Sequence, residues 1–389
     1  MARKVVSILL SIFTLTLCGV GSAEAATPIR CDSISHRISM EVRPAYNIPS
    51  HYALRGNDPI NSAASLHLRY AFSFNDDSEI GKRFPTVYQG IGIGGYTFFH
   101  PEVTGQPIAL YILQGAHIID RKDITLGYEW NFGLSWHWIP NEAMNSKWNI
   151  MVNVALPISW HVSPEWEFSL TPDFTHFSSG DTSFSNSGAN LFGVRLGVTR
   201  HFNSHNEHIR AKEYIAPSKE LASENFRGHL SHDILIYGGW RADRFIDNGE
   251  FVVIDRPLFL DGIQYHLLYH FNRHFALGTS LDVQTDSSLN LHDAIFDKEG
   301  NLVSYEHPSL LQQTECGLSL RFEITSPLFS VGAGLGVNVL GKKGYDFSRI
   351  YTQYSMKHFI SSRTFIFVGY RFNSTQYTHN MMYGLGWRF

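Results

Sequence analysis

The stretch from Asp173 to Val198 reads DFTHFSSGDTSFSNSGANLFGVRLGV, with His176 two residues before Ser178 and Asn190 beyond a polar loop. On a strand, residues i and i+2 share one face at roughly 6.5 Å between Cα atoms. An imidazole there can take the proton of the serine hydroxyl and free the oxygen to attack an acyl carbon. A hairpin that sets position 176 opposite position 190 brings the Asn190 amide to the ring, where it fixes the tautomer as the third member of a nucleophilic triad does. Asn186 and the backbone N–H groups near Gly180 are the candidates for an oxyanion hole.

The elements around these residues decide which way they point. Phe168, Leu170, Pro172 and Phe174 share one parity, and Glu167, Ser169, Thr171, Asp173 and Thr175 share the other. His176 and Ser178 continue the apolar row. In the following strand Phe192, Val194, Leu196 and Val198 are the apolar parity, which Asn190 begins, while Arg195 lies on the opposite one. Three polar groups therefore project from an apolar wall, where a polar group without a task is costly.

The nature of that wall follows from the chain as a whole. Of its 389 residues 43% are hydrophobic, 14% aromatic and only 17% charged, with 32 glycines. A basic segment, an apolar run from Val5 to Val20 and the small-x-small site Ala23-Glu24-Ala25 predict a signal peptide over residues 1–25. Cys18 raises lipidation, but Leu17 stands where a lipidation signal needs a small residue. No later apolar run approaches the ~20 residues of a membrane helix. The C-terminus MMYGLGWRF puts Met381, Tyr383, Leu385, Trp387 and Phe389 on one face, and Met382, Gly384, Gly386 and Arg388 on the other. An apolar outer band with aromatic ends and a small or polar inner face is the pattern of a transmembrane strand. It resembles the C-terminal signature of bacterial outer-membrane barrels.

Period-two segments of about ten residues or more recur along the chain: 37–47, 64–74, 86–99, 107–120, 124–138, 149–163, 166–180 and 190–202. Polar turns such as NDDSEIGKR and NEAMNSK separate them. A polar stretch over 204–231 reads as a periplasmic linker. Strands resume over 232–245, 258–271, 275–284, 311–325, 328–340, 350–359, 364–373 and 381–389. The fold class is all-β, a transmembrane antiparallel β-barrel protein. The strand count predicts two tandem eight-stranded barrels over 26–203 and 232–389, or one barrel of about sixteen strands. An open sheet is excluded in lipid, where every backbone group must be paired.

HFSSG followed by NSGAN resembles the motif of the lipid A 3-O-deacylases and their longer relatives, the acyloxyacyl hydrolases. The resemblance spans about residues 35–203 and is concentrated in 174–190. It implies an eight-stranded outer-membrane barrel with a Ser-His pair on its outer surface. His176 would be the general base, Ser178 the nucleophile, Asn186 part of the oxyanion site and Gly188 its neighbour. Two positions depart from the family: Asn190 stands where the best-known members carry a glutamate, and Ser179 where an asparagine commonly follows the serine. Asparagine can orient an imidazole but adds no charge, so Asp181 is a second candidate for the third member. With the N-terminus and linker periplasmic, the turn after the seventh strand is extracellular, and the substrate is outer-leaflet lipopolysaccharide.

Other features carry less. The net charge of −4 gives no reason to expect nucleic acid. Cys31 and Cys316 lie far apart, and no Cys/His zinc spacing is present, so neither a disulfide framework, a metal nor a cofactor is expected. The alternating glycines of GIGIGG (90–95) sit within a strand and predict a crowded barrel interior instead of a nucleotide loop. HNEH at 205–208 lacks the spacing of a metalloprotease helix. His358 and Ser361, three apart, fall on opposite faces and predict no second site. The expected partners are outer-membrane lipid and, through the C-terminal strand, the barrel-assembly machinery; a homodimer stays open. The rival from another class is a silent structural or transport barrel.

Overall fold

A computed structural model describes residues 34–48, 59–75, 79–121, 123–141, 144–180, 182, 188–202, 226–247, 250–299, 302–341, 349–373 and 379–389. The expected signal peptide, Cys31, most of the linker, Asp181 and Asn186 lie outside the described residues. The chain divides into two compact units, one over Arg30–Glu224 and one containing Asn225–Phe389.

The first unit is built from β1 (Ile34–Ile48), β2 (Ser62–Phe74), β3 (Val87–Thr97), β4 (Gly105–Asp120), β5 (Ile124–Trp138), β6 (Asn149–Ala155), β7 (Ile158–His161), β8 (Trp166–Ser178) and β9 (Ala189–Phe202). Each strand pairs with the next except β6 with β7, and β1 pairs with β9, so the ring closes. The nine strands occupy eight positions, because β6 and β7 both lie between β5 and β8. The strand expected over 149–163 is thus broken at Leu156 and Pro157. Proline has no N–H to give the ladder, yet its carbonyl still accepts from Gly127 N at 2.9 Å, while Leu156 N donates to Pro172 O at 3.0 Å.

Alternation sorts the side chains as the parity predicts. Ile38, Met40, Val42, Leu66, Leu68, Val152, Val154, Phe168, Phe192 and Leu196 are exposed on the outer wall, which suits contact with lipid. Inside, three guanidiniums meet three carboxylates. Arg195 reaches Glu129 at 2.9 Å, Asp173 at 3.0 Å and Glu41 at 3.1 Å; Arg43 reaches Asp173 at 2.7 Å; Arg69 pairs with both Glu41 and Glu129. Nearer the Ser178 end the filling becomes apolar, with Tyr96, Phe98, Trp138, Met151, Phe177 and Leu191 in one cluster. The glycines of β3 make room for it. A Cβ on Gly92 would come within 2.4 Å of the Tyr111 ring, and one on Gly94 within 2.6 Å of His67. The barrel is a packed core, as eight-stranded barrels are.

The second unit closes as β10 (His229–Asp247), β11 (Glu250–His270), β12 (Phe275–Asp286), β15 (Thr314–Thr325), β16 (Phe329–Leu340), β17 (Ile350–Phe359), β18 (Thr364–Asn373) and β19 (Asn380–Arg388). A separate hairpin, β13 (His292–Phe296) with β14 (Leu302–Glu306), lies in the connection after β12 and is absent from the expected strands. The strand expected from Leu311 starts at Thr314, after a 3₁₀ turn over Leu310–Gln313. Leu385, Trp387 and Phe389 are exposed and Met382 is buried, as the pattern predicts, whereas Met381, expected on the outer face, is buried at the start of the strand. The interior is again filled and charge-paired, with Lys357 between Asp233 and Glu323 and Arg388 on Asp233. Two closed rings of eight positions replace the alternative of one sixteen-stranded barrel.

Candidate active site

The β8–β9 hairpin aligns His176 with Asn190, in register with Phe174 opposite Phe192 and Asp173 opposite Gly193. On β8 Glu167, Thr171, Asp173 and Thr175 are buried, while His176, Ser178 and Asn190 are only half-buried on the outer row. His176 Nδ1 lies 2.8 Å from Asn190 Oδ1. An amide oxygen only accepts, so Nδ1–H is the donor. In the neutral ring this leaves the Nε2 lone pair for another proton, the tautomer a general base needs.

Gly188 closes the site from the loop side. Its φ of +72° belongs to the left-handed region, and a Cβ there would meet Phe177 O at 2.5 Å, His176 Cε1 at 2.9 Å and Ser178 Cβ at 3.5 Å. The ring edge of His176 and the Ser178 side chain thus flank one point, which only a glycine leaves open. Gly180, two residues after Ser178, has φ +66° in a short turn where Thr182 Oγ1 donates to Ser179 O at 2.7 Å. Asn186 and Asp181, the other sequence candidates, are outside the described residues.

Sequence reasoning did not single out the apolar ground beside the serine. Ser178 is paired with Ile150 of β6. Just ahead of that strand the Trp148 ring packs 5.8 Å, centroid to centroid, from Trp136. Outward aromatics at strand ends mark a membrane interface, and that was the available signal. The decoy pair stays apart in role: Ser361 Oγ accepts from Arg363 N at 3.2 Å and Thr364 N at 2.9 Å within a turn, and the His358 ring packs on Phe329.

Closed antiparallel rings, an apolar outer wall, filled interiors and a C-terminal aromatic strand define the class: an outer-membrane-type β-barrel protein. Residues 231–389 match the family model described as acyloxyacyl hydrolase, C-terminal domain, consistent with the lipid A 3-O-deacylase family that the motif resembles. The match lies on the second barrel, whereas the motif lies on the first. No curated protein matches the chain. Similar solved structures include Neisserial surface protein A, 12% identical over 43% of this chain and 97% of that one, with a TM-score of 0.31. Others are Ail of Yersinia pestis (10% identity, 44% and 99%, TM-score 0.25) and the Pseudomonas putida toluene transporter TodX (8%, 92% and 89%, TM-score 0.18).

Proposed function

We propose that this protein is a serine esterase that removes an ester-linked acyl chain from lipid A in the outer leaflet of a Gram-negative outer membrane. The observation that carries the reading is the 2.8 Å contact of His176 with Asn190 on the lipid-facing row that also holds Ser178. The likeness of HFSSG and NSGAN to the deacylase motif and the acyloxyacyl hydrolase match in the second barrel support the same chemistry. In this reading Ser178 Oγ attacks the ester carbonyl as His176 Nε2 takes its proton. Backbone N–H groups around Gly180 hold the oxyanion, with Asn186 as the family's further donor. The sugar alcohol leaves with the proton from His176. Water then cleaves the acyl-enzyme with the ring again acting as base. An ester in the membrane reaches such a site sideways, past the exposed Trp148 ring packed beside Trp136. The signal peptide over 1–25 exports the chain, and the strand ending at Phe389 is its handle for barrel assembly.

The purified protein in detergent micelles with lipopolysaccharide tests this. Fatty acid should be released by the parent and by Ser361→Ala, and lost in Ser178→Ala and His176→Ala that still migrate as folded barrels. Undiminished release by Ser178→Ala would remove the serine mechanism. The rival of a transport barrel has filled interiors against it in both units.

A further inference from the structure

At the end of the first barrel far from Ser178, a second cluster of chemistry-bearing side chains has no part in the esterase site. Glu167 and Ser178 are eleven residues apart on β8, roughly 36 Å along the strand. Glu167 is buried and faces His161 across the β7–β8 turn, with Glu167 Oε2 3.9 Å from His161 Nδ1 and 3.0 Å from His201 Nε2. One ligand atom from each of the three residues lies within 4.8 Å of the others.

The charge accounting singles this carboxylate out. Glu41, Glu129 and Asp173 each contact arginine inside the barrel. Among the described residues Glu167 has no lysine or arginine within ion-pair distance, and the groups that reach it there are the two imidazoles. Arg37, opposite His201 on β1, lines the same cavity without pairing with Glu167: its guanidinium lies 4.4 Å over the Tyr88 ring and donates to Ser73 Oγ at 3.0 Å. His117 and Asp120, 3.5 Å apart, stand at the same end. A polar cavity lined by His117, Ser159, Thr199 and Glu167 opens beside the carboxylate, with Arg37 and the Arg69–Glu41–Glu129 group on its further wall.

The geometry points to a divalent transition-metal site, zinc by class, held by His161 Nδ1, Glu167 Oε2 and His201 Nε2. Two imidazoles and a carboxylate are a zinc donor set. At bonds of about 2.0–2.2 Å the ligand atoms of a tetrahedral ion lie roughly 3.3–3.5 Å apart, within the observed spread. The fourth position faces the cavity and takes water. The metal takes the place of the His201 Nε2–Glu167 Oε2 hydrogen bond, neutralises the buried carboxylate and ties the β7–β8 turn to β9. It is invisible to sequence spacing because its ligands come together across β7, β8 and β9 of the closed sheet.

Zinc titration of the chelator-treated full-length protein in detergent micelles tests the site. One equivalent should bind and raise the unfolding midpoint, as any ligand of the native state does. Glu167→Gln and the double variant His161→Ala/His201→Ala should each weaken binding by ~10-fold or more, while His292→Ala in the exposed His292–Asp293–Glu306 cluster leaves it unchanged. Binding that persists in the folded double variant overturns the proposal. Should the variants fail to fold, cobalt(II) on the parent decides: tetrahedral visible absorption is expected, and its absence overturns the site.

Discussion

For the single residue, the proposed catalysis depends on what holds His176. Asn190 accepts the ring proton without adding charge to the imidazolium. Asn190→Ala should therefore lower turnover by ~10²-fold or more, in the range general-base catalysis contributes, with little change in substrate affinity. Asn190→Glu places a carboxylate beside the developing cation, and turnover should be kept or raised. Steady-state rates of both variants check this; an Asn190→Ala enzyme equal to the parent removes Asn190 from the triad. Gly188→Ala is a steric test of the same ring. The left-handed backbone costs an alanine about 1–2 kcal/mol, and the methyl group lands on His176 Cε1 and Phe177 O. Release of fatty acid should fall sharply in a barrel that still forms. His176, Ser178 and Asn190 were legible in the sequence because the strand period put them on the apolar row. Gly188 came from the family motif alone, since a φ of +72° leaves no trace in alternation.

The strands and their connections carry the next level. β8 and β9 were readable nearly to the residue, and with them the 176–190 register. Pro157 splits β6 from β7 while the outward parity continues past it, so hydrophobic periodicity could not report the break. The β13–β14 hairpin stands outside the barrel wall and lacks the buried alternation that reveals wall strands; its residues are mostly exposed. Inside the wall, parity marks a residue as inward but not its partner. The Arg195 network with Glu41, Glu129 and Asp173 comes from strands far apart in sequence. Arg195→Met removes one cation from three buried carboxylates, and breaking such a buried arrangement costs about 3–5 kcal/mol. A lower midpoint in urea or thermal unfolding, read by loss of the folded band on unboiled gels, is the expected outcome; an unchanged midpoint would show that water has access to the network.

For the whole molecule, two closed rings on one chain follow from two sets of eight strand positions, each with an apolar outer row and a filled interior. Phe389 ends the outer row of the last strand, and its deletion should cut recovery in outer-membrane fractions without altering expression. Recovery of the mature parent as a soluble periplasmic monomer would contradict the membrane assignment. The claim that joins the two barrels' evidence is that the outer wall at Ser178 cleaves an ester of lipid A. Mass spectrometry of lipid A from cells expressing the parent, the Ser178→Ala variant or neither tests it most directly. Lipid A lighter by one ester-linked acyl chain is expected with the parent and intact lipid A in the other two; identical spectra from all three, with the parent folded in the outer membrane, would contradict the esterase.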